Sequence, residues 1–173
     1  MSPLESLSLP ATSFSDPVSL AAIVQRYAAE PSTWRPLLAD PPAAPDPEPG
    51  VAWTVPIVTT GQLVVKLVGW LPGRSTRAHD HGGVAGAWTV VEGELVEDHV
   101  AEDAWWARPA RRRVGPGTSV LMEPDRVHVV ANPGREVAVS IHASAPKRRP
   151  ARYPAVGVAS ILAEAAPWPS LKG

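Results

Sequence analysis

The sequence predicts a mainly β protein, a small barrel or sandwich behind a short N-terminal helical segment. Three observations carry that prediction. From residue 51 to 144 the chain breaks into valine-rich runs: VAWTVPIV, QLVVKLVGW, AWTVVEGELVEDHV, TSVLMEP, VHVVANP and EVAVSIHAS. Turn-forming stretches separate them, TTG at 59–61, LPGRS at 71–75, VGPG at 114–117 and NPGR at 132–135. Finally, 21 prolines and 13 glycines among 173 residues leave little room for long helices.

Residues 1–15 read as a loose arm. Asp16 followed by Pro17 supplies an N-cap and a first helical position. Val18, Leu20, Ala21, Ile23, Val24, Tyr27 and Ala28 then recur at helical spacing, predicting an amphipathic helix to about Glu30. A second short helix is expected over 32–38, with Trp34 and Leu37 facing inward. ADPPAAPDPEPG, at 39–50, is a linker that forms neither helix nor central strand. The expected division is 1–50 as helical segment and linker, 51–148 as the barrel, and 149–173 as a basic, proline-rich tail. That tail is expected to pack on the barrel and to hold one final helical turn.

The length suits one domain. With 16 basic and 17 acidic residues the net charge is −1, which gives no general attraction to nucleic acid or anionic membranes. There is no cysteine, so disulfides, thiolate nucleophiles and thiolate-ligated metals are excluded. MSPLESLSLPATSFSDP lacks the basic start and apolar run of a secretory signal, and no stretch is long enough for a membrane span. A cytoplasmic protein, monomer or homodimer, with neither nucleic acid nor membrane as partner is expected.

The chemistry concentrates in RAHDHGGVAGAW, residues 77–88. On a strand, positions i and i+2 share a face, so His79 and His81 are expected to project together while Asp80 points away. Gly82 and Gly83 let the backbone approach closely. Two same-face imidazoles suit a divalent metal better than they suit packing, and His128, opening the run VHVVAN, is the candidate third ligand. His142 lies in another strand as ligand or neighbour of the site, and His99, in the charged stretch EDHVAED, reads as solvent-exposed.

Gly73, His79, Asp80, His81, Gly86 and Gly93 resemble the first cupin motif, G-x5-H-x-H-x3,4-E-x6-G, and Gly117, Pro124, His128 and Asn132 resemble the second. Two departures mark the second motif: Arg126 stands near its glycine, and one residue fewer separates Pro124 from His128. The resemblance implies a single cupin barrel, a double-stranded β-helix or jelly roll. Gly86 replaces the glutamate ligand of many cupins, leaving three neutral histidines. That set, the preceding helical segment and SIHAS at 140–144 resemble the thiol dioxygenases of the cysteine dioxygenase-like branch. The resemblance implies Fe(II) as cofactor, and a relay beside it built from Ser140 and His142. The tyrosine of the family's S-x-H-x-Y segment is Ser144 here, with Tyr153 a conceivable substitute; the cysteine–tyrosine crosslink of some relatives is impossible without cysteine.

The family also carries an arginine early in the barrel that pairs with the substrate carboxylate. GVAWTVPIVTTG has none, and Trp53 lies close to the expected position. An indole offers one uncharged donor and does not replace a guanidinium. Arg74 or Arg77 would have to compensate; otherwise the substrate is larger or more apolar than cysteine, with Trp53, Trp70 and Trp88 as candidate pocket walls. Imidazole ligands suit iron, zinc, copper and nickel alike; the resemblance selects Fe(II), with dioxygen as co-substrate and a small thiol, oxidised to a sulfinate, as substrate. The other readings are a three-histidine cupin oxygenase or isomerase acting on a non-thiol metabolite, and a non-catalytic small-molecule-binding cupin. Retention of all three histidines argues against the last.

Overall fold

The computed structural model describes residues 16–42, 48–100 and 109–152. The N-terminal arm, the final helical turn and Tyr153 lie outside them. Asp16 caps helix α1 (Pro17–Ala28) by accepting a hydrogen bond from the Ser19 amide at 2.8 Å. The second helical piece is shorter and tighter than a single α-helix, Pro31–Trp34 in α geometry (α2) and then Arg35–Leu38 as a 3-10 turn. Pro36 explains the change, since it has no amide to continue the α ladder. Trp34 is buried as expected, but Leu37 faces solvent at 36% exposure.

Eight strands follow: β1 (Val51–Thr59), β2 (Val64–Trp70), β3 (Gly86–Glu92), β4 (Leu95–Val100), β5 (Ala110–Val114), β6 (Ser119–Met122), β7 (Val127–Ala131) and β8 (Ala138–Ser144). AWTVVEGELVEDHV is thus two strands, hinged at Gly93 with φ +78. ARRRV forms β5, although nothing in its charge-rich sequence announces a strand; it exists because Arg111, Arg112 and Arg113 lie opposite Asp98, Glu97 and Val96 on β4. The strands form two antiparallel sheets, ordered β1-β2-β8-β3-β6 and β5-β4-β7. The protein is mainly β with the cupin architecture.

Parity along the large sheet sets what faces where. Val65, Leu67, Ala87, Val139, Ile141 and Ala143 point outward and pack with Leu20, Ile23, Val24 and Tyr27 of α1. Val68, Trp70, Trp88, Val90, Val120, Met122 and Ala138 point inward and meet Leu95, Val114 and Val130 of the small sheet. Because both faces are covered, β2, β3 and β8 read as apolar runs rather than alternating ones. Polar residues on their inner positions, Lys66, Ser140, His142 and Ser144, therefore stand out.

Candidate metal centre

His79 is not in a regular strand. It exchanges both backbone hydrogen bonds with His128 of β7, His79 N to His128 O at 3.1 Å and His128 N to His79 O at 3.0 Å, as an isolated bridge. The chain then turns. Gly82 and Gly83 adopt φ of +73 and +76, and the Asp80 carboxylate accepts from the Gly82 amide at 3.0 Å. The strand expected across His79 and His81 is therefore an irregular loop pinned at one pair, yet the two side chains do converge.

Asp80 does point away from its neighbours, and it is buried rather than solvated. Its oxygens accept from Arg149 Nη1 and Nη2 at 3.1 and 2.7 Å and from the Arg152 amide at 2.8 Å. Burial opposes its ionisation, but these donors hold its carboxyl below the ordinary range. Residues 149–152 thus lie across the loop, so close that a Cβ on Gly82 would stand 2.4 Å from the Arg149 carbonyl oxygen.

Ring centroids of His79, His81 and His128 lie 4.7 to 5.4 Å apart, and one ring nitrogen from each falls within 4.8 Å of the others. His81 Nε2 and His128 Nε2 are 2.8 Å apart. Two imidazoles bound at right angles to one ion at about 2.1 Å would place their nitrogens about 3 Å apart. Second partners orient two of the rings: His79 Nδ1 donates to the Arg77 carbonyl at 2.9 Å, and His128 Nδ1 donates to Glu97 at 2.6 Å. Both Nε2 atoms then keep their lone pairs for a shared cation. Burial holds His79 at a pKa of about 4 and His81 well below the usual imidazole range, so neither needs to lose a proton at neutral pH before ligating. The donor set fits a divalent metal.

Glu97 has no exposed surface and bridges His128 to Arg112, whose Nε lies 2.5 Å away. Sequence reading passed over it, though Leu95, Glu97 and His99 share one face of β4 and Leu95 is core. His99 is correspondingly not solvent-exposed: its side chain is 21% exposed, with Nδ1 3.6 Å from Glu97.

Beside the three histidines opens a cavity of about 430 Å³ whose lining includes His79, His81, Trp70, Lys66, Ser144 and His142. Trp70 Nε1 donates to Ser140 Oγ at 2.7 Å, and Ser140 Oγ lies 2.8 Å from His142 Nε2. An indole only donates, so the buried serine accepts from Trp70 and its own proton is available to His142 Nε2; in that arrangement the neutral imidazole carries its hydrogen on Nδ1. Burial, and then the charge of Lys66, keep His142 neutral. Its ring stacks on Trp88 at 5.7 Å and 9°.

The expected substrate contacts are placed differently. Trp53 is on the outer face: two residues of β1 oppose one of β2 between Val51 and Trp53, and this bulge inverts the parity, so that Thr54 and not Trp53 faces the cavity. Trp53 instead covers Gly69, where a Cβ would lie 2.2 Å from its ring. Trp88 has no exposed surface and stands behind His142, leaving Trp70 as the tryptophan of the three that lines the cavity. Arg74 sits in an exposed turn away from it. Arg77 reaches the mouth, where Glu48 accepts from its Nε and Nη2 at 3.3 Å each. At Gly86, where other cupins carry glutamate, a Cβ would lie 2.4 Å from the Met122 methyl, so the thioether fills that space.

A family model for cysteine dioxygenase type I matches residues 14–152. The chain belongs to that family. As a member of the cysteine dioxygenase family it is a metal-binding cupin, with the three-histidine cluster inside the matched region. No curated protein sequence matches it. Solved structures similar to it include oxalate oxidase with the substrate analogue glycolate (17% identity, TM-score 0.54, 67% of this chain and 60% of that one). Peruvianin-I, a cysteine peptidase from Thevetia peruviana latex, matches at 18% identity and TM-score 0.53, over 66% of this chain and 72% of that one. Bacillus subtilis oxalate decarboxylase, a protein with Mn(II) centres, matches at 17% identity and TM-score 0.52, over 68% and 30%. The chain thus spans 60% of the oxalate oxidase, and likenesses at these identities show the fold alone. Among the described residues no helix is long and apolar enough to cross a membrane.

Proposed function

We propose that this member of the cysteine dioxygenase family is a non-haem iron(II) dioxygenase that oxidises a small thiol other than cysteine to its sulfinate with dioxygen. The observation that supports it most is the convergence of the His79, His81 and His128 Nε2 edges beside a cavity that also presents His142. Iron(II) held by those three histidines supplies the redox chemistry by which both atoms of dioxygen pass to the thiolate sulfur. His142 offers an Nδ1–H donor to the bound ligand; Ser140 fixes its tautomer and Trp88 its ring plane. Met122, over Gly86, keeps a fourth protein ligand out.

Discrimination against cysteine follows from β1. The β1 residues that line the cavity are Val51 and Thr54, so no charge stands where the family's arginine pairs with the substrate carboxylate. Losing such a contact costs on the order of 2–5 kcal/mol. The test is oxygen uptake by anaerobically purified, iron-loaded protein against a panel of small thiols. The expected result is one sulfinate per dioxygen for at least one thiol, with cysteine slower by about thirtyfold or more. Uptake with none of them, or fast and saturable conversion of cysteine, would overturn the reading.

A further inference from the structure

Lys66 interrupts the apolar run VVKLVGW of β2. Parity turns its side chain inward with Val68 and Trp70, and its neighbours across the sheet are Pro56 of β1 and His142 of β8. No hydrogen bond or ion pair to its ammonium occurs among the described residues. Around it the cavity is rich in cations: Arg77 and Lys147 line it too, and the one carboxylate of the lining, Glu48, is already bound by Arg77. Burial, and then the charge of Lys147, lower the Lys66 pKa from its ordinary value. An ammonium held in a partly desolvated cavity without a counter-ion costs stability. A divalent ion at the histidines adds further positive charge to the same space.

We infer that the Lys66 ammonium is the anion-binding group of this cavity and that the ligand brought to the three histidines carries a carboxylate which it pairs. The inference rests on the thiol reading only for the other end of that ligand. It places the charge contact on β2, opposite His142, one strand removed from the Trp53 position where the family's arginine is expected. A ligand that satisfies it spans from the histidine cluster to Lys66, which specifies a mercaptocarboxylate of different reach from cysteine.

The test uses zinc-loaded full-length protein, since zinc is redox-inert and separates binding from oxygen chemistry. Thioglycolate, 3-mercaptopropionate and 4-mercaptobutyrate are titrated calorimetrically, each beside its primary amide. At least one acid is expected to bind about tenfold or more tightly than its amide. In Lys66→Met and Lys66→Gln that preference disappears while the amide affinity holds; in Lys66→Arg it persists. Removing an unpartnered ammonium should also raise the Tm of Lys66→Met, so failure of that variant to fold counts against the inference. Equal binding of acids and amides by the unaltered protein, or an acid preference that survives in both neutral variants, would overturn it. An acid preference without sulfinate formation by the iron-loaded protein sinks the dioxygenase reading and leaves the anion site; sulfinate formation from acids and amides alike does the reverse.

Discussion

A histidine presents one ring nitrogen to a metal most firmly when its other nitrogen is committed elsewhere, and at His128 that commitment is to Glu97 at 2.6 Å. Burial alone would raise the Glu97 carboxyl, but its interactions with His128 and then Arg112 bring it down to about 2. Glu97→Gln should therefore weaken metal binding by about 10–100-fold, measured by competition with a chelator; an unchanged affinity would mean that the bond to His128 is incidental. His142 makes a contrasting prediction. It is absent from the converging cluster, so His142→Ala should keep its metal and lose turnover by about 10–100-fold. Full activity, or loss of the metal, would contradict the role given to it. The ligand histidines were legible from spacing because H-x-H and H-x3-N are local patterns. Glu97 and Lys66 were not, because their meaning depends on which face of a strand turns inward, and parity is fixed only once the sheets are paired.

At the scale of elements, two contacts place the site. Trp53 lies flat over Gly69 because the bulge in β1 turns it outward, and Gly69→Ala would put a methyl group 2.2 Å from a ring with little room to move. Overpacking of this kind costs about 1–3 kcal/mol, which urea unfolding will read directly. The bulge also explains why sequence position misassigned Trp53: one extra residue reverses the side chains that follow, until a second irregularity between Pro56 and Val58 restores the parity, and no residue type marks it. The other contact is the clasp of Arg149 and Arg152 on Asp80. In Arg149→Ala, amide exchange over residues 79–83 should accelerate and Tm should fall; protection equal to that of the unaltered protein would show that the loop holds its shape alone. HDHGG announced a tight turn, but its partner, about 70 residues later, lies in a stretch whose sequence reads only as a basic tail.

Over the whole molecule, α1 and the two sheets were readable because each has a repeating apolar signal, whereas β5 exists only through its pairing with β4. The interior polar cluster sets the response to acid. His79 titrates near 4 in the fold against an ordinary 6.5, so over that interval the unfolded chain binds the proton and the fold does not. Metal-free protein should accordingly lose stability as pH falls from 6.5 to 4, with no further loss from this group below 4. A Tm flat across that window would contradict a neutral, buried His79.

The central claim, one metal held by three histidines, is tested most directly by the metal content of anaerobically purified protein. About one divalent ion per chain is expected in the unaltered protein, and less than about a tenth of that in His79→Ala, His81→Ala or His128→Ala, with the barrel still folded. Undiminished metal in His81→Ala would contradict it.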